Sequence, residues 1–399
     1  MSMHVSWLES LPNELIDEII SYLLATSPSH TSIHQPPSTR IAKGGNRWLK
    51  NLSRSSSRIL EVVRPRLFSH ACFNLTDVED FLSFVSTSDL HRHITSIVVR
   101  GRHSPNNAED PFWWRQVLRC LDPQRVTVLA PPSFIGMMLG AKIYDGHSWA
   151  FDVPFQIVQL EQDSHSGAFE RFPQMEECSN LLEARRWSSM VFNESSSLKV
   201  YNHYEYYLFQ VPSIFSKWGT MASIRPLQDQ ESLSNLFKNL SSFRYTAVFP
   251  FYNHVKLVLN AVELMTNLRS LSFQLAPCAN DKATEIEQRG SMDPSDPWME
   301  LATGYSLIAS AVKDMGDKGP LCQFTACDYS FDALRTELST ILGEVLDGSE
   351  WVHDGYGTWN RQAIDPSDSR NCSMAIVKGN HSLPFHVHPQ QKPQSWNSA

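Results

Sequence analysis

Three histidines near the end of the chain, His381, His386 and His388 in "HSLPFHVHP", have the types and spacing for chemistry. A His-x-His pair on a strand puts both imidazoles on one side, as a metal site requires. No carboxylate follows Asp368 to complete a catalytic centre beside the histidines, and the flanking "PQQKPQSWNSA" has the composition of a disordered terminus. Adventitious binding is therefore expected there, not a resident metal. Cys322 and Cys327 lack the second pair a zinc ribbon needs and are expected to pack as small apolar side chains. His353 and Asp354 in "HDGYGTW" could pair as acid and base, but sequence neighbours rarely converge on one substrate atom. The chain has no Gly-x-Ser-x-Gly elbow, no phosphate-binding Walker loop and no His-Glu-x-x-His helix. The expectation is a non-catalytic protein without metal or cofactor.

Aromatic residues offer binding instead of catalysis. Tyr201, Tyr204, Tyr206 and Tyr207 crowd one short stretch, where they form either a target-binding patch or rings packed between helices. Trp113 and Trp114 raise the same choice. Adjacent helical residues point in different directions, so one ring is expected in the core and the other at least partly exposed.

Whatever these residues do, the elements that position them start with "LPNELIDEIISYLL", residues 11–24. Leu11, Leu15, Ile19 and Leu23 recur at helical period, with Ile16, Ile20 and Leu24 one step round. Ser10 is placed to cap this helix, Pro12 suits its first turn, and Glu14, Asp17 and Glu18 complement the positive end of its dipole. Residues 25–47 are rich in Ser, Thr, Pro and Gly without periodicity and are expected to be a flexible loop. A second helical pattern follows with Trp48, Leu49, Leu52, Ile59, Leu60 and Val63. So few short helices cannot bury that much apolar surface among themselves, so a partner is expected, either the rest of the chain or another protein.

"LPNELIDEIISYL" resembles the opening of an F-box, and "WLKNLSRSSSRILEVVRPRLF" resembles its second half. The resemblance implies docking on the adaptor subunit of a cullin-RING ubiquitin ligase through Leu11, Pro12, Leu15, Ile16, Ile19, Leu23, Leu52 and Ile59. The 25–47 loop is longer than the family's usual connection, although added loop length costs only about 0.6 kcal/mol per doubling. The stretch "WSSMVFNESSSLKVYNHYEYYLFQVPSIF", residues 187–215, is similar to a segment of fungal F-box proteins carrying a Trp, an Asn-Glu pair and a Tyr-rich run. That likeness says nothing about the target.

Composition bounds the rest. A chain of 399 residues with 42% hydrophobic residues supports a large core and more than one structural unit. A net charge of -8 argues against a general nucleic-acid binder, despite the basic run Arg40, Lys43, Arg47, Lys50, Arg54 and Arg58. The 7 scattered cysteines give no disulfide framework and imply a reducing compartment. With no long apolar run and Glu9 where a signal peptide would be apolar, a cytoplasmic or nuclear location off the membrane is expected.

Period-two runs mark strands in "HITSIVVRG", "RVTVLAPP", "FQIVQLEQ", "SLKVYNHY", "SFRYTAVF", "LRSLSFQL", "CQFTACDY" and "GSEWVHDG". Several follow a helical segment, which predicts parallel strands with helices outside. Some strand-to-strand intervals fall at about 28 to 31 residues, near the upper end of leucine-rich repeat periods. A doubly wound sheet would be expected to carry an early glycine-rich turn, and none is present. The predicted class is α/β: a helical F-box-like domain at 8–68, an irregular leucine-rich-repeat-like solenoid at 69–365, and a disordered tail at 366–399. The function this implies is target recognition for the ligase, with the adaptor and, through it, cullin as partners, plus an unidentified target protein. The alternative is a self-contained scaffold whose first helices only cap the repeat stack.

Overall fold

The computed structural model describes residues 7–8, 10–23, 26–43, 46–102, 109–163, 176–223, 227–278 and 290–362. His381, His386, His388 and the tail at 366–399 lie outside the described residues.

The chain opens with α1 (Asn13–Leu23), α2 (Pro28–Thr31), α3 (Arg47–Leu52) and α4 (Ser57–Phe68). Helices α1, α3 and α4 enclose a small core of Ile16, Ile20, Leu49, Ile59 and Val63. Ser10 does not cap α1; its hydroxyl donates to the Trp7 carbonyl at 2.7 Å. The start of α1 is held from α4, where the Arg58 guanidinium donates to Leu11 O at 2.7 Å and Asn13 Oδ1 at 2.8 Å. Ser56 does cap α4, its Oγ accepting from Ile59 N at 3.3 Å.

Ten strands then form one sheet: β1 (His70–Asn74), β2 (Ser96–Arg100), β3 (Arg125–Ala130), β4 (Gln156–Glu161), β5 (Ser189–Ser196), β6 (Ser242–Val248), β7 (Ser270–Gln274), β8 (Gln323–Ala326), β9 (Trp351–His353) and β10 (Thr358–Arg361). Their spatial order follows the chain except that β10 lies between β8 and β9. No strand-order reversal of the doubly wound kind occurs. The compact unit that contains the helices and the sheet ends at Arg361.

β1 to β3 are parallel, as are β5 to β8, but β4 runs antiparallel to both neighbours and β10 antiparallel to β8 and β9. The uniformly parallel expectation fails at β4 for a geometric reason. Ala130, where the chain leaves β3, pairs with Gln156, where it enters β4, so the connection returns without crossing the sheet.

"SLKVYNHY" is not a strand: residues Leu198–Asn202 form a 3₁₀ turn, and the strand is the preceding "SMVFNESS". Three consecutive apolar residues, Met190 to Phe192, followed by four polar ones leave that strand without an alternating period. Its end is marked by a bulge between Asn193 and Ser196, with Ser195 at φ 76°.

The two sheet faces differ. Ile97, Val99, Val126, Val128, Val158, Leu160, Met190, Phe192, Phe243, Tyr245, Leu271, Phe273 and Phe324 join the main core. The helices covering this face are α5 (Val78–Thr87), α6 (Trp113–Cys120), α7 (Pro132–Met138), α8 (Ser148–Phe151), α9 (Ile214–Ser223), α10 (Leu227–Phe237), α11 (Tyr252–Val262), α12 (Asp296–Lys318) and α13 (Asp332–Leu346). Helices α9 and α11 touch closely because Gly219 has no side chain; a Cβ there would sit 2.1 Å from Leu257 O. Alternate strand residues Val98, Leu129 and Ile157 belong instead to a separate cluster on the opposite face, with Ile33 and Ile41.

The expectation of a flexible 25–47 loop is therefore corrected. Its described part, 26–43, folds into α2 and a 3₁₀ turn (Thr39–Ala42) and lies on the sheet. Low periodicity reflects two isolated anchors, Ile33 and Ile41, too far apart to register as a helix or a strand.

Candidate functional site

Two surfaces have the chemistry of interaction sites. The first is the outer side of α1. Ile16 and Ile20 face Leu49, Ile59 and Val63, so Leu15, Ile19 and Leu23 of the stripe are left outside. Leu15, Ile19 and Leu23, one turn apart, are 51%, 39% and 37% exposed. Pro12 is exposed at the same helix end, Leu11 and Leu52 are half-buried against the small core, and Ile16 and Ile59 are interior. Of the eight positions implied by the F-box resemblance, Ile16 and Ile59 thus hold the helices together and present nothing outward. The Arg66 guanidinium lies 3.1 Å from Asp17 and braces α4 against α1.

The second surface is the sheet face opposite the helices. At its β2–β5 end Val98, Leu129 and Ile157 receive Ile33 and Ile41. Polar side chains on the same face bind the main chain of that segment. Gln159 Nε2 donates to Ser29 O at 3.1 Å and to Thr127 Oγ1 at 2.7 Å. Asn193 Nδ2 donates to Ile33 O at 2.7 Å and Gln35 O at 2.9 Å, and Cys278 Sγ lies 3.7 Å from His34 O. Burial and then the Arg244 charge lower the pKa of His34. On β1, burial, Arg125 and His30 lower that of His70 to about 4. Both imidazoles are therefore neutral near pH 7. The Asn-Glu pair singled out at 193–194 straddles the sheet, Asn193 on this face and Glu194 on the other.

Glu194 centres a buried polar cluster that spacing could not reveal. It accepts hydrogen bonds from Ser213 and from Tyr245 OH at 2.5 Å, and His254 Nε2 lies 2.8 Å away. His254 Nδ1 is 3.4 Å from Ser216 Oγ, which gives the order Ser, His, carboxylate seen in hydrolytic relays. All three residues are buried, and the Ser216 hydroxyl donates to Val211 O at 2.8 Å. The arrangement cross-links β5, β6, α9 and α11 and offers no exposed nucleophile.

A second buried carboxylate, Asp328, accepts from Leu275 N at 2.6 Å, Ala276 N at 3.0 Å and Tyr305 OH at 2.6 Å. Burial raises its pKa to about 6 against those three donors. It ties β7 to α12.

The other predicted residues separate. Trp113 and Trp114 are both buried, contrary to the expectation that one faces out. Phe73 meets Trp113 edge-on, and Phe112 and Arg115 cover Trp114. Tyr201 is interior, its hydroxyl donating to Phe249 O at 3.1 Å, and the Tyr206 ring lies tilted beside it. Tyr204 and Tyr207 are exposed. His353 lies against Trp359 at a ring separation of 4.1 Å, and its Nε2 accepts from Gly357 N, so it shapes a turn. Cys322 and Cys327 are half-buried, and no group of metal-ligating side chains occurs among the described residues. No described helix is long and apolar enough to cross a membrane. No family model, curated protein or solved structure matches the chain.

Proposed function

We propose that this chain is a non-catalytic target-recognition subunit of a cullin-RING ubiquitin ligase, docking on the ligase adaptor through α1 and presenting a target on an irregular leucine-rich-repeat-like solenoid. The observation that carries the reading is the exposed row Leu15, Ile19 and Leu23, on a helix already packed through Ile16 and Ile20. A helix that merely capped the sheet would turn this row inward. Here it remains in solvent, as a surface completed by a partner would.

A sheet whose strands follow chain order, with helices on one side, supports the solenoid part of the reading. Ubiquitin transfer itself would belong to other subunits, and this chain would contribute proximity between target lysine and thioester.

The test is co-purification of the full chain with the adaptor subunit, beside a Leu15→Asp, Ile19→Asp variant. Capture by the wild type and loss in the variant, with unchanged circular dichroism, is the expected result. Failure of the wild type to capture adaptor would sink the ligase reading and leave a scaffold.

A further inference from the structure

We propose that the sheet face spanning β1 to β6 is a peptide-binding groove, occupied in this chain by its own segment 26–43, and that a target docks by displacing that segment. The inference rests on the reading of the chain as a target-binding subunit. The expected occupant is a short, turn-forming segment of a target protein. It would carry two aliphatic side chains spaced like Ile33 and Ile41 and offer main-chain carbonyls between and before them.

Three observations carry this. First, the segment is held as a ligand is held and not as a strand. Among the described residues, each main-chain hydrogen bond between backbone groups of 26–43 closes within the segment: His30 and Thr31 to Ser27, Ser32 to Pro28, Gln35 to Ser32, Ile41 to Ser38 and Lys43 to Arg40. The sheet holds it by the side chains of Gln159, Asn193 and Cys278 on its carbonyls and by two aliphatic anchors. Main-chain carbonyls are common to any peptide, so amide side chains aimed at them recognise a backbone path without fixing its sequence.

Second, the groove is incompletely satisfied beside the segment. On β6, Arg244 Nε and Thr246 Oγ1 are buried and have no hydrogen-bond partner among the described residues. Thr246 pairs across the ladder with Asn193 and Gln274 and so lies on the same face. A longer occupant could use both groups, and an unpaired buried polar group is costly enough to favour one that does.

Third, the face continues past the segment. Ser272, Gln323, Thr325, Thr358 and Asn360 are half-buried on the strands beyond β6, giving hydrogen-bonding groups along the path of an extended target.

The test uses the full chain and a labelled synthetic peptide of residues 26–43 as probe, read by fluorescence anisotropy. A tethered competitor lowers apparent affinity by the fraction of time the groove is open. An Ile33→Ala, Ile41→Ala chain should therefore bind the peptide at least about tenfold more tightly than the wild type, and adding Asn193→Ala should abolish that gain. No binding by the folded double variant would overturn the proposal.

If that variant does not fold, hydrogen exchange on the wild-type chain decides. Amides of 26–43 exchanging by local opening, faster than those of β2 to β5, support a displaceable occupant. Exchange only with global unfolding would make the segment a fixed part of the core and overturn the idea. Adaptor capture through α1 is measured separately, so failure of the groove and failure of the ligase reading are distinguishable.

Discussion

The outer row of α1 and the β2–β5 end of the open sheet face are both aliphatic, yet one is bare and the other is covered by the chain itself. Leu15, Ile19 and Leu23 remain in solvent, while Val98, Leu129 and Ile157 are closed off by Ile33 and Ile41. The difference lies in the backbone beneath. Helix α1 satisfies its own main chain, so its outer row can stay in solvent without leaving any backbone group unpaired. The sheet face carries Gln159 and Asn193 among its aliphatics, and amides enclosed beside an apolar patch need partners, which the carbonyls of 26–43 supply.

The largest expected effect breaks the covered side. Ile33→Asp with Ile41→Asp puts two carboxylates against Val98, Leu129 and Ile157. It should cost several kcal/mol, on the order of 2 to 4 per site, seen as a lowered denaturant midpoint and release of 26–43 in hydrogen exchange. Asn193→Ala comes next. It leaves Ile33 O and Gln35 O without their donor and should cost about 1 to 3 kcal/mol in urea unfolding.

The pH dependence sharpens the same side. His34 and His70 have pKa values lowered from 6.5 in the folded chain, His70 to about 4, so folding binds fewer protons than unfolding there. The contribution of His70 is complete above about pH 6.5 and is lost as pH falls through about 4, and that of His34 is lost in the same direction as pH falls. Asp328 acts with the opposite sign: raised to about 6 from 3.8, its contribution is complete below pH 3.8 and lost as pH rises through 6. The pair His34→Gln and His70→Gln should flatten the acid loss of stability between pH 6.5 and 4, and Asp328→Asn should flatten the loss between pH 4 and 6.

The smallest effect belongs to the bare side. Leu15→Asp with Ile19→Asp should change stability by no more than about 0.5 kcal/mol, because neither side chain supports the small core. A large loss there would mean that the row is structural, and the contrast between the two surfaces would collapse.

The first surface was legible in the sequence because a helix repeats its face at a fixed interval, and Leu15, Ile19 and Leu23 keep that interval. The second was not. Gln159 meets Ser29 and Asn193 meets Ile33 across separations of well over a hundred residues, and nothing in Ser-Thr-Pro composition distinguishes a folded plug from a loop. Glu194, His254 and Ser216 were missed for the same reason, their contact being made through three different elements. The Asn-Glu pair within a strand was the one available hint, since two consecutive large polar residues cannot both face solvent in a sheet covered on both sides.

The sequence by itself determined the local periods: the amphipathic start of α1, the cap at Ser56, and strands such as β2, β3 and β6 whose alternate residues are apolar. Those follow from backbone geometry and neighbouring side chains alone. Tertiary structure decided which half of the α1 stripe is buried, that Trp113 and Trp114 both turn inward, that β4 reverses, and that 26–43 lies on the sheet. Each of these depends on surfaces brought from distant parts of the chain, where apolar burial and the pairing of buried amides compete, and no short-range pattern encodes the outcome.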